Sequence, residues 1–122
     1  MIIDHIGIAV RDYQRSKEFY SKALAPLSIK LIMEFDKAAG FGKDGKPEFW
    51  LEIREAPAEP VHIAFAAESR REVRQFYEAA LAAGGKDNGA PGMREIYHPD
   101  YYGAFVLDPD GNNIEAVCHL PE

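Results

Sequence analysis

Shifted by 57 residues, the chain overlies itself. Asp4-His5-Ile6-Gly7-Ile8-Ala9-Val10 falls on Val61-His62-Ile63-Ala64-Phe65-Ala66-Ala67. The register then holds without a gap through Phe19-Tyr20 over Phe76-Tyr77 and Ala23-Leu24-Ala25 over Ala80-Leu81-Ala82. An internal repeat of this length constrains the fold more than any local pattern, because each copy must be one supersecondary unit that packs on the other. Each copy opens with a β-like run carrying a histidine and continues into a helix. The predicted order is β-α-β-β-β, twice, within one domain over residues 1–122. The modules cover about 1–55 and 61–122, and Ala56-Pro57-Ala58-Glu59-Pro60 reads as the linker between them.

Local signals fill in this plan. Residues 2–10 alternate, with Ile6, Ile8 and Val10 on one face and His5, Gly7 and Ala9 on the other. Asp12 is the expected N-cap of a helix to Leu24, which Pro26 ends. Strands are predicted over 28–35, 40–42 and 48–54, the last after a Lys43-Asp44-Gly45-Lys46 turn. In the second half a strand over 61–67 precedes a capping box at Ser69-Arg70-Arg71-Glu72. The helix it opens runs to Ala83, and Gly84-Gly85 stops it. The glycines and prolines between Lys86 and Pro99 predict mostly loop, with a short strand near 94–98. Strands over 102–107 and 113–118 flank the tight Asp108-Pro109-Asp110-Gly111 turn. The fold class is therefore α+β.

Several functions are disfavoured. The net charge is −6 with both signs interspersed, against a nucleic-acid partner. No apolar run approaches the roughly 18 residues of a membrane span, and a lone cysteine, Cys118, allows no intrachain disulfide. Met1 leads into a strand instead of a signal peptide. A cytoplasmic protein is expected.

The strand faces suggest where chemistry lies. His5 shares its face with Gly7 and Ala9, and His62 shares its face with Ala64 and Ala66. Faces kept this small leave room for a ligand. In the last strand Glu115 lies between Ile114 and Ala116 and faces opposite to both. A buried carboxylate is costly without a cation, a proton or water. Two imidazoles and one carboxylate suit a divalent transition metal: Zn, Ni, Mn, Co or Fe(II). The loop from Arg94 to Tyr102 precedes the seventh strand and is expected at the cleft mouth. There Arg94, His98 and Tyr101 are candidates for binding substrate, and Tyr102 for donating a hydrogen bond or a proton to a bound oxyanion. Cys118 is expected to face the core and His119 the surface.

The duplicated unit, the opening Asp4-His5-Ile6-Gly7-Ile8-Ala9-Val10, the helical Phe19-Tyr20 and the run Phe105-Val106-Leu107-Asp108-Pro109-Asp110-Gly111-Asn112-Asn113-Ile114-Glu115 resemble the vicinal oxygen chelate superfamily. That group holds glyoxalase I, extradiol dioxygenases, fosfomycin-resistance enzymes and bleomycin-resistance proteins. The resemblance spans essentially the whole chain. It implies curled mixed sheets around a cleft, with His5, His62 and Glu115 as metal ligands. Glyoxalase I adds a glutamate from its fourth strand, and either Glu52 or Trp50 occupies that position here.

The resemblance implies a metal-dependent enzyme with lyase or isomerase chemistry through a metal-chelated oxyanion of a small substrate, with Glu115 or Glu52 moving the proton. Two other activities within the family are an Fe(II) extradiol-type dioxygenase and a metal-free, bleomycin-resistance-like binding protein. In the latter, Trp50, Tyr101 and Tyr102 would stack on the ligand. A homodimer is expected. Modules that pair within one chain and modules that pair across two are both compatible with the family.

Overall fold

The computed structural model describes residues 2–54 and 58–122. It contains two βαβββ modules. The first consists of β1 (Ile6–Val10), α1 (Tyr13–Ala23), β2 (Lys30–Phe35), β3 (Ala38–Lys43) and β4 (Lys46–Ile53). The second consists of β5 (His62–Ala66), α2 (Arg70–Ala82), β6 (Lys86–Met93), β7 (Tyr102–Leu107) and β8 (Asn113–Cys118). Each module has its own four-stranded mixed sheet, in the orders β1-β4-β3-β2 and β5-β8-β7-β6. The first strand of each pairs parallel with the last, and the other pairs are antiparallel. Of the expected linker, Ala56 and Pro57 lie outside the described residues.

Both helices start as the sequence predicts. Asp12 accepts a hydrogen bond from the Arg15 amide at 3.1 Å. Ser69 accepts one from the Glu72 amide at 3.1 Å, while the Glu72 carboxylate reaches back to the Glu68 amide at 2.9 Å. The reciprocal bond of the capping box therefore lands one residue early. Pro26 sits inside a single 3-10 turn, Ala25–Leu27, just past α1, where a proline cannot continue the helix.

The largest departure from the sequence reading is β6. The predicted loop over 86–93 is an edge strand, and the predicted strand near 94–98 is part of the turn that follows it. The register of β6 against β7 slips at Asp87/Gly89 and again at Gly89/Gly92. Gly89 has φ +149°, and a Cβ there would stand 2.9 Å from the Phe105 ring. Glycine and proline are what a bulged edge strand tolerates, so the composition that resembled a loop marks a bulged strand.

One apolar core runs through both modules. Phe19, Tyr20, Phe41, Phe49 and Leu51 from the first half join Val73, Phe76, Val106 and Ile114 from the second. Phe49 and Phe65 meet edge to face with centroids 5.1 Å apart. The Asp108-Pro109-Asp110-Gly111 turn fastens the second module to α1. Asp108 accepts from the amides of Asp110 and Asn112 and from the Asn112 side chain, and also from the buried Tyr20 hydroxyl. Asp110 accepts from the Arg11 amide at 3.1 Å and the Ser16 hydroxyl at 3.3 Å. Burial, with the Asp108 carboxylate alongside, holds the Tyr20 hydroxyl well above the usual tyrosine range.

Candidate metal and substrate site

The two sheets present two separate groups of functional side chains. On the first, β1 and β4 run parallel with Gly7 opposite Trp50 and Ala9 opposite Glu52. Residues opposite one another share a face, so His5, Gly7, Trp50 and Glu52 project together. They line an open cavity of about 730 Å³ with Phe35 and Asp4. His5 is exposed, and its Nδ1 lies 2.8 Å from Asp4 Oδ1. A carboxylate only accepts, so Nδ1 is the donor of this pair, the arrangement that orients a metal-binding imidazole. That bond, with Lys46 3.2 Å from the other carboxylate oxygen, lowers the Asp4 pKa.

Trp50 packs edge to face on Phe35 at 5.6 Å. Its indole lies over Gly40, where a Cβ would come within 2.8 Å of it. The Glu52 carboxylate folds back over Gly7, 3.1 Å from where a Cβ would be. The small residues of this face are thus the floor on which larger side chains rest.

The second sheet holds the other group. Glu115 is the most deeply buried carboxylate described, 1% exposed. Its Oε1 lies 2.8 Å from His62 Nε2, and its Oε2 accepts a hydrogen bond from the Tyr101 hydroxyl. Burial, and then the bond to Glu115, raise the Tyr101 pKa, so its hydroxyl stays a donor. Phe105, opposite Glu115 on β7, has its ring 6.1 Å from that of His62. Arg94 stacks on Phe105 at 5.4 Å and donates to the Ala90 carbonyl.

The turn over residues 94–101 covers this group. Tyr97 and His119 both pack edge-on against Tyr101 at 5.1 Å, and His98 packs on His119 at 5.3 Å. Arg94, His98 and Tyr101 are thus drawn to one corner around Glu115. Tyr102 is not. It points across β7 toward α2, between the guanidinium groups of Arg70 and Arg74 at 5.3 and 6.0 Å. One step along a strand reverses the face, and that step separates the two neighbouring tyrosines. Sequence reasoning passed over Phe105, and His119 is exposed as expected, yet both were legible as neighbours of Glu115. Each sits on the face of Glu115 by simple alternation, and His119 is four residues beyond it in the same strand direction.

Strand register settles which residue of the first module corresponds to Glu115. Gly7 and Ala64 are equivalent through the 57-residue repeat. Gly7 stands opposite Trp50 on β4, and Ala64 stands opposite Glu115 on β8. Trp50 is therefore the counterpart of Glu115, and Glu52 is the counterpart of Val117. Bulk has changed places as well: Trp50 faces Gly40 across the first sheet, whereas Glu115 faces Phe105 across the second.

The donor chemistry fits a divalent transition ion, with an imidazole and a carboxylate meeting at one point and a second imidazole held through its Nδ1. Among the described residues, however, no three His, Cys, Asp or Glu side chains converge within one chain. His62 and Glu115 lie together, and His5 lies apart from them. Among the described residues, no helix is long and apolar enough to cross a membrane.

Comparison with known proteins agrees with this architecture. The family model described as the Glyoxalase/Bleomycin resistance protein/Dioxygenase superfamily matches residues 2–116. The uncharacterized protein YqjT of Bacillus subtilis (strain 168) is 28% identical, over 93% of this chain and 96% of its own. The crystal structure of a glyoxalase/bleomycin resistance protein from Albidiferax ferrireducens T118 superimposes with a TM-score of 0.86 at 28% identity, covering 98% of this chain and all of the other. A glyoxalase/bleomycin resistance protein/dioxygenase family enzyme from Burkholderia phytofirmans PsJN shares the fold, with a TM-score of 0.74 at 21% identity over 96% and 98% of the two chains.

Proposed function

Because the chain belongs to the glyoxalase/bleomycin resistance protein/dioxygenase superfamily, we propose that it is a metal-dependent enzyme carrying out lyase or isomerase chemistry on a small molecule with adjacent oxygens. The observation that carries this reading is the meeting of His62 Nε2 with the buried Glu115 Oε1 at 2.8 Å, on the strand position that repeats His5. A buried carboxylate calls for a compensating positive charge, which a cation shared with His62 would supply. His62 and Glu115 of one chain would hold the ion together with His5 of a second copy, in a homodimer. Ile2, Ile3, Ile6 and Phe35, exposed near His5, supply apolar surface for such a contact.

Bound there, a divalent ion would polarise the substrate's oxygens and acidify the neighbouring carbon. Glu52, the carboxylate that is not enclosed, would accept the released proton. Trp50 and Phe35 would form an apolar wall against the substrate, and Arg94 and His98 would meet its polar groups. Cys118, buried and unpaired, is in keeping with a reducing cytoplasm.

The register of Trp50 gives weight to a second reading. With an indole where a fourth ligand would stand, two histidines and one carboxylate remain, the set of non-haem iron enzymes. An Fe(II) extradiol-type dioxygenase would use it.

Elemental analysis and light scattering on untagged protein, alongside Glu115→Gln, test these readings. Near-stoichiometric metal in a dimer, lost in the variant, is the expected result. Zn, Ni, Mn or Co favours lyase or isomerase chemistry, and Fe favours the dioxygenase. Wild type that is metal-free and takes up none of these ions overturns both. Titration of Trp50 fluorescence with aromatic compounds would then test the metal-free binding protein.

A further inference from the structure

We propose that Tyr101 is a positioning residue which occupies Glu115 Oε2, so that Glu115 offers the ion a single oxygen, Oε1, on the side of His62. This rests on the metal reading above and adds to it a constraint on how the carboxylate binds. A carboxylate on a divalent ion can chelate through both oxygens or bind through one, and the choice sets how many positions stay open for substrate. Here the two oxygens of Glu115 are already divided: Oε1 faces His62 Nε2 at 2.8 Å, and Oε2 takes the Tyr101 hydroxyl. The carboxylate is buried, so no water competes for either.

Tyr101 is itself held firmly enough for this task. Its amide donates to the His98 carbonyl at 3.0 Å, and its carbonyl accepts from the Arg94 amide at 2.7 Å. Tyr97 and His119 brace its ring from two sides at 5.1 Å. Gly103 completes the cradle. A Cβ there would lie 3.1 Å from the Tyr101 ring and 3.2 Å from Glu115 Oε2, so a side chain at 103 would press on both partners of this hydrogen bond. Neighbouring Tyr102 is committed to Arg70 and Arg74 and supplies no substitute. Hydrogen bonds to ligating carboxylates orient them and tune the ion. In this chain that bond comes from a turn the first module does not possess.

The test compares wild type, Tyr101→Phe and Gly103→Ala loaded with Co²⁺ alone, read by affinity and by visible absorption. In both variants Co²⁺ affinity is expected to fall by about 10- to 100-fold. The visible bands are expected to weaken as the released Oε2 joins the coordination shell and raises its number. A change that only loosened the fold would lower affinity without moving the bands. Bands and affinity in Tyr101→Phe equal to those of wild type would overturn the assignment. If Tyr101→Phe does not fold, Gly103→Ala decides it by the same criterion. Wild type that takes up no Co²⁺ defeats the metal reading, and the role of Tyr101 with it.

Discussion

The two modules follow one chain path and part company at two places. In the first, β2 and β3 are joined by Asp36 and Lys37 alone, both at positive φ, the compact turn of a plain hairpin. In the second, residues 94–101 stand between β6 and β7 and carry Tyr97, His98 and Tyr101 over the sheet. The other difference is the register position held by Trp50 in one sheet and Glu115 in the other. The first module thus offers an open cavity with an aromatic wall, and the second a buried carboxylate under a cover. Duplication supplied two equal frames. A single register position and a single turn put a covered carboxylate in one of them and an open indole in the other.

The largest expected effects test whether the frames are equal. Phe19 and Phe76 are repeat partners and both are buried. Phe19→Ala and Phe76→Ala should each cost about 3–5 kcal/mol in denaturant unfolding. Matching costs support equivalence, and a loss confined to one module breaks it.

The two hairpin turns should respond differently. Asp108→Ala strands the Tyr20 hydroxyl, two amides and the Asn112 side chain, at a cost of about 3 kcal/mol. Asp44→Ala, in the corresponding turn of the first module, removes no side-chain bond among the described residues and should lower the unfolding midpoint only slightly. Equal losses would show that the second turn is only a turn, and not the fastening between modules.

The smallest contrast concerns Tyr20 and its repeat partner Tyr77. The Tyr20 hydroxyl reaches the second module, whereas that of Tyr77 stays within its own module on Asp87 at 2.9 Å. Tyr20→Phe should cost about 1–2 kcal/mol at neutral pH, and Tyr77→Phe should leave the midpoint where it is. The Tyr20 pKa is raised in the folded chain, so above pH about 10 the unfolded chain loses that proton first. The folded state then holds more protons, and stability falls as pH rises. This contribution is whole below pH about 10 and fades above it. Unfolding midpoints between pH 8 and 11 should fall less steeply in Tyr20→Phe than in wild type. Parallel pH curves would show that the buried hydroxyl carries no linkage.

Much of this was legible in one dimension. Periodicity and caps located β1, α1, β5 and α2, and the repeat required two like units. Alternation placed His5 with Gly7 and His62 with Ala64. The edge strand β6 was hidden, because Gly89, Pro91 and Gly92 read as loop until the bulges that use them are seen. Whether Tyr101 or Tyr102 shares the side of Glu115 was not legible, because a strand's face depends on the residue at which the preceding turn ends.

The sequence by itself determined the duplication, the class of fold and the residue types able to hold a metal, because periodicity and side-chain chemistry are local properties. Only the tertiary structure decided that Trp50 holds in one sheet the register position that Glu115 holds in the other, and that Tyr101 rather than Tyr102 holds that glutamate. It alone separated His5 from His62 within one chain. Register and distance between strands are set by pairing across tens of residues, and no local pattern records them.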